Sequence, residues 1–190
     1  MATRRSTGRS RPLNALTADL WETIAADAQR ESQLWTSALR SPDQQEREPI
    51  FSRLGEERYA LGIETIYEGY LLHYGQPRLF APEDDDTALL LGDYLYAHGL
   101  VRIEEVGSVD AVSDLAELIA LCAYLRAERI AGDAAVWAAT AAELGRGALE
   151  EGRSRLRLDN DANPLERLAR ARVGDAAVDQ ALDTHRGRLR

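Results

Sequence analysis

Apolar residues recur at helical rather than strand spacing along almost the whole chain. Leu16, Leu20, Ile24 and Ala28 fall four apart, and Trp21, Ala25, Leu34 and Trp35 widen the same stripe, predicting a first helix from Asn14 that ends at Ser41-Pro42. A second helix is predicted after Pro49, through Ile50, Leu54, Tyr59, Leu61, Ile63, Ile66, Tyr70 and Leu71 to about His73, followed by a turn-rich loop over 75–82. A third spans 89 to about 106 and is apolar around most of its circumference, which marks a buried helix. After Gly107, a fourth starts at Ser108 and carries Val112, Leu115, Leu118, Ile119, Leu121, Cys122 and Leu125 toward a core.

A fifth helix is predicted from 134 to about 149, with Gly145 and Gly147 inside it, each weakening it by ~1 kcal/mol relative to alanine. Its small residues Ala138, Ala141, Ala142 and Gly145 permit a close helix contact. Residues 153–161 read as a polar loop, Pro164 restarts a helix near its first turn, and 173–189 alternates acid and arginine. No period-two pattern and no internal repeat is present. The expectation is an all-α fold, one helical domain over 13–190. Residues 1–12, with Arg4, Arg5, Arg9 and Arg11 among Ser, Thr and Gly, are expected to form a flexible tail, since they hold too little apolar surface to order themselves.

Composition narrows the function classes. The 190 residues carry a net charge of −9, which argues against a general nucleic-acid binder, whose phosphate contacts need a basic surface. All 23 basic residues are arginine. The single cysteine, Cys122, excludes an internal disulfide framework and a zinc cluster of the usual spacing, and its apolar neighbours suggest a buried thiol in a reducing cytoplasm. Arg4-Arg5 has no apolar stretch of secretory length behind it, so export is not expected. The longest transmembrane candidate, 115–125, is interrupted by Glu117.

Several side chains stand out. Asp93 sits between Gly92 and Tyr94 in an apolar helix, where a carboxylate must be paired; Tyr94, Tyr96 and His98 offer donors at the same level. Tyr67, Tyr70 and Tyr74 form an aromatic group that fits core packing, the wall of a hydrophobic tunnel, or a subunit contact. Glu64 lies nine positions before His73, roughly the opposite side of a helix with ~3.6 residues per turn. Glu83-Asp84-Asp85-Asp86 opens the third helix as a cap, with negative charge at the positive end of the helix dipole.

The run 87–99, T-A-L-L-L-G-D-Y-L-Y-A-H-G, resembles the Gly-Asp-Tyr-Leu helix of trans-prenyl diphosphate synthases. The run 64–75, from Glu64 to His73-Tyr74-Gly75, keeps the spacing of that family's preceding helix, in which the histidine stands before two aspartates. Here Tyr74 and Gly75 occupy the aspartate positions, and the family's second acidic cluster has only Asp159-Asn160-Asp161 to match it, which reads as a solvated turn. The resemblance, over 50–130, implies an isoprenoid-synthase-like helical bundle, truncated relative to full-length synthases. It places Arg78 in the loop that carries substrate-contacting basic residues in catalytic relatives. The missing aspartates are similar to the non-catalytic small subunit of heterodimeric hexaprenyl or heptaprenyl diphosphate synthases. That implies an accessory subunit in isoprenoid biosynthesis, not catalytic alone and without a cofactor, partnered by a catalytic prenyl synthase or by itself, with a prenyl diphosphate or lipid as possible ligand. Glu64, Tyr67, Tyr70, His73, Gly92, Asp93, Tyr94 and Tyr96 are its candidate fold, interface or tunnel residues. Two alternatives stay open: a divergent isoprenoid diphosphate-binding enzyme recruiting magnesium through Glu68, Asp93 or Asp84–Asp86, and a homodimeric structural protein that retains only the fold.

Overall fold

The computed structural model describes residues 13–189; the expected N-terminal tail lies outside the described residues, as does the side chain of Leu16. Among the described residues all regular structure is helical, in agreement with the all-α expectation. The order is α1 Leu13–Glu31, α2 Gln33–Ala38, α3 Ala60–Tyr74, α4 Asp85–Val106, α5 Val109–Glu128, α6 Asp133–Glu143, α7 Glu150–Asp159, α8 Asn163–Val173 and α9 Asp175–Arg188.

The tightest packing joins α3 to α4 through four glycines. Gly62 and Gly69 on α3, seven residues apart, face Gly99 and Gly92 on α4, also seven apart. A Cβ at Gly69 would stand 2.8 Å from the Gly92 carbonyl oxygen, and one at Gly62 3.2 Å from that of Gly99. The glycine of the Gly-Asp-Tyr run is therefore a point of backbone approach. Trp21, Ile24, Ala28 and Trp35 of α1 and α2 close over Leu72, Leu79, Phe80, Leu91 and Leu95 on one side of this pair. The larger core, built on Phe51, Tyr67, Trp137 and the inner faces of α5, α6, α8 and α9, lies on the other.

Four boundaries differ from expectation, each for a local reason. The first helix breaks at Ser32, whose extended backbone lets its hydroxyl accept the Leu34 N–H and cap a new short helix. Residues 50–59 form two 3-10 turns rather than the start of α3, because the amides of Ile50 and Ser52 donate to the Glu64 carboxylate at 3.0 and 3.1 Å instead of to helix carbonyls. Asp84 caps α4 by accepting the Thr87 N–H at 2.7 Å, as the reading of 83–86 as a cap expected, so this helix starts four residues before Leu89, where its apolar pattern begins. The fifth predicted helix stops at Glu143; Gly145 and Gly147 adopt φ of 72° and 70°, the left-handed region, and turn the chain. The expected loop over 153–161 is mostly α7, whose Arg153 and Leu156 are buried.

Helix α4 is also not buried all round. Leu91, Leu95, Gly99, Arg102 and Ile103 face the protein, whereas Leu89, Leu90 and Val101 are 52%, 56% and 53% exposed. No helix among the described residues is long and apolar enough to cross a membrane.

Candidate functional site

Helix α3 presents two polar clusters to the interior, the first fully buried and the second part-exposed at Arg126 and Asp133. The first is built on Glu64 and Glu68, one turn apart, which point at Arg78 in the loop before α4. Arg78 is 0% exposed. Its Nη1 donates to Glu64 at 2.5 Å and its Nε to Glu68 at 2.9 Å. The remaining lone pairs are filled as well: Glu68 accepts the backbone N–H of Arg78 and of Leu79, both at 2.7 Å. Arg78 Nη1 also donates to the Glu48 carbonyl at 3.1 Å, and the guanidinium lies 4.5 Å from the Trp21 ring and 5.0 Å from the Tyr67 ring. Burial alone would make this guanidinium easier to deprotonate, but the two carboxylates outweigh it and hold the charge more firmly than usual.

The second cluster lies one turn along. The Tyr67 hydroxyl sits 2.9 Å from His185 Nδ1, and His185 Nε2 sits 3.4 Å from Asp133. The Tyr70 hydroxyl donates to the same Asp133 oxygen. Arg126 binds both, Nε to the Tyr70 oxygen at 2.9 Å and Nη2 to Asp133 at 2.6 Å. Burial raises the Asp133 carboxyl, yet hydrogen bonds from His185 and Tyr70 and the charges of His185 and Arg126 outweigh it, leaving the carboxyl far below its ordinary value. Burial likewise pushes the Tyr67 and Tyr70 hydroxyls well up, so both remain protonated.

The other sequence candidates line the α3–α4 contact. His73 packs on Gly92, where a Cβ would stand 2.5 Å from its Nε2. Its ring stacks on Tyr96 at 5.0 Å between centroids. Burial lowers the His73 imidazole, opposed by Asp93, whose carboxylate lies 3.3 Å from Nε2 without hydrogen-bond alignment. Asp93 itself was expected to be buried and paired; its side chain is 66% exposed, because it projects from the outer side of α4. Tyr94 stacks on His98 and meets Trp35 of α2 instead.

Glu64 and His73 are not brought together, as their spacing on α3 implied. Arg78, placed by resemblance in a substrate loop, is sealed inside by Glu64 and Glu68 and is not available to a substrate in this conformation. The magnesium candidates are dispersed: Glu68 holds Arg78, Asp84 caps α4, and Asp93 faces outward. Among the described residues no three His, Cys, Asp or Glu side chains group as a metal site.

No family model, curated protein or solved structure matches this chain.

Sequence reading passed over His185, Asp133 and Arg126. These come from α9, the start of α6 and the end of α5, and only the tertiary fold joins them to Tyr67 and Tyr70. A local signal did exist for Asp133, a carboxylate at the first turn of a helix directly after Gly132. That position reads as an ordinary helix start. The pairing of Arg153 with Asp114, 2.9 Å apart and buried, was hidden in the same way.

Proposed function

We propose that this chain is a non-catalytic, prenyl-synthase-like helical protein that serves as an accessory or regulatory subunit of a polyprenyl diphosphate synthase. One observation supports this above others. On α3, the helix that resembles the diphosphate-facing helix of those enzymes, Glu64 and Glu68 are both closed on Arg78 with no exposure, while Tyr74 and Gly75 stand where the metal-binding aspartates would. Ionising an allylic diphosphate requires its negative charge to be neutralised, ordinarily by magnesium held on carboxylate oxygens. A phenol that burial keeps protonated and a glycine supply no such ligand, so the influence on catalysis comes through association with a competent partner.

The test is chain elongation assayed with this protein alone, with a catalytic prenyl synthase alone, and with the two mixed in the presence of magnesium. The reading expects no turnover from this protein alone and a changed rate or product length in the mixture. Elongation by this chain unaided, or a synthase unaffected by it at any ratio, overturns the reading.

A further inference from the structure

The outer side of α1 and the segment that follows α2 border an open pocket of about 260 Å³. Its shape follows from α1. Trp21, Ile24 and Ala28 of that helix go to the core, while Glu22, Ala25, Ala26 and Gln29, at helical spacing, form one wall of the pocket. Two alanines in the middle of the row leave space that a leucine would fill.

The opposite wall is fixed at both ends. The Arg40 N–H donates to the Leu79 carbonyl at 2.9 Å and the Ala81 N–H to that of Ala38 at 2.7 Å, while the Glu46 N–H donates to the Arg78 carbonyl at 3.1 Å. Between these anchors Gln45 bridges two arginines. Its Nε2 donates to the Arg40 carbonyl at 3.0 Å, and its Oε1 accepts Nη2 of Arg47 at 2.9 Å and Nε at 3.3 Å. Both backbone groups of Arg40 are therefore taken, and what it has left for the pocket is its guanidinium.

That guanidinium is an exception. Every other arginine that is at least half-buried among the described residues ends on a carboxylate: Arg78 as above, Arg102 on Asp27, Arg126 on Asp133, Arg153 on Asp114, Arg157 on Glu117, Arg170 on Glu166 and Arg188 on Glu46. With 32 acids for 23 arginines the chain has carboxylates to spare. Yet half-buried Arg40 makes no ion pair and no side-chain hydrogen bond among the described residues, and drawing a charge partly out of water without a partner is unfavourable. Arg47 is scarcely better matched, since its Nη1 reaches Glu22 only at 3.5 Å and Glu22 is 66% exposed. Two arginines against one glutamate leave the pocket with one uncompensated positive charge.

We infer that this pocket binds a small organic carboxylate, its charge on Arg40 and its carbon body over Ala25, Ala26 and Leu39. One negative charge balances the site, and the planar guanidinium fork matches the edge of a carboxylate. The apolar lining, which includes Pro42, gives the body a surface to cover. Size sets the limit: the pocket is smaller than the ~300–1,000 Å³ of drug-sized sites, and at ~30 Å³ for each water-sized group it holds about eight non-hydrogen atoms. A nucleotide or a long-chain diphosphate exceeds both the room and the charge, and Glu22 at the rim repels a polyanion. The inference is independent of the proposed role beside a synthase.

The deciding experiment is a titration of the full chain, labelled with nitrogen-15, with sodium butyrate, followed by heteronuclear NMR. The backbone amides of Ala25 and Ala26 and the side-chain amide of Gln45 are the reporters. Butyrate is expected to shift them saturably, acetate more weakly because it lacks the carbon body, and uncharged butyramide not at all. R40Q removes a charge that no group in the protein uses, so it folds as the native chain does, and it is expected to weaken butyrate binding ~10-fold or more. A26L fills the pocket with the charge intact and is expected to abolish the shifts. Shifts that never saturate, butyramide as effective as butyrate, or R40Q or A26L binding like the native chain overturns the inference. So does inorganic phosphate binding as tightly as butyrate, which would make the pocket a general counter-ion site.

Discussion

Glu68 Oε1 accepts the backbone N–H of Arg78 while Oε2 takes the Nε of the same residue, so one carboxylate fixes both the main chain and the side chain of the arginine opposite it. With Glu64 on the other side, the pair converts the loop between α3 and α4 into a rigid part of the core. Replacing Arg78 by Leu leaves two buried carboxylates without a counter-charge. Such a change is expected to destabilise the protein by ~3–5 kcal/mol, measured by urea unfolding at neutral pH. A loss below ~1 kcal/mol would mean that water reaches the two glutamates, contrary to their complete burial.

Gly92 has no room for a methyl group because the His73 ring occupies the space, with three ring atoms within 2.9 Å of where a Cβ would stand. G92A is therefore expected to cost ~1–3 kcal/mol through overpacking. Removing the ring should relieve it: in a double-mutant cycle with H73A the two losses are expected to be strongly non-additive. Additive losses would show that Gly92 is required for a reason other than His73.

The Asp133 carboxyl is held far below its ordinary value, so the unfolded chain binds its proton first as acid is added. Stability from this group is complete above the unfolded pKa of ~3.9 and is lost as pH falls through the folded value. The native protein should accordingly lose stability more steeply below about pH 4 than D133N. At neutral pH D133N should already be weaker, by ~2–4 kcal/mol, since it removes the charged acceptor of three donors. Parallel stability–pH curves for the two proteins in acid would contradict the assignment.

Cys122 is buried, and burial raises its thiol well above the ordinary range. Only the thiolate reacts rapidly with aromatic disulfide reagents. Modification of the native protein is expected to be slower than in urea by orders of magnitude and to follow opening of the α5–α6 core. Fast labelling without denaturant would place the thiol nearer the surface.

The elements legible in the sequence were those whose signals are local. Asp84 and Ser108 cap α4 and α5 through side chains within three residues of the amides they receive, and the period of Leu115, Leu118, Cys122 and Leu125 is that of the buried face of α5. What escaped was set by distant partners. Residues 50–59 carry helical apolar spacing, but Glu64 captures their amides and holds them in turns. Arg153 makes α7 read as a polar loop until its guanidinium is found inside, on Asp114. The outward placement of Asp93 escaped for the opposite reason: apolar residues around α4 suggested burial on all sides, and several of them are simply exposed. Glu64, Tyr67 and Tyr70 could be singled out from the chain, but not their partners, since Tyr67 and His185 are 118 positions apart.

That separation bears on how the protein is made. A chain emerging from the ribosome reveals α3 long before α9, at ~5–20 residues per second. Through that interval Tyr67, Tyr70 and Asp133 are present without the imidazole that joins them, and the Gly75 turn lacks the Leu189 backbone that later bridges to it. Docking of α9 is thus the step that completes the centre, since it alone brings the imidazole to Tyr67 and Asp133.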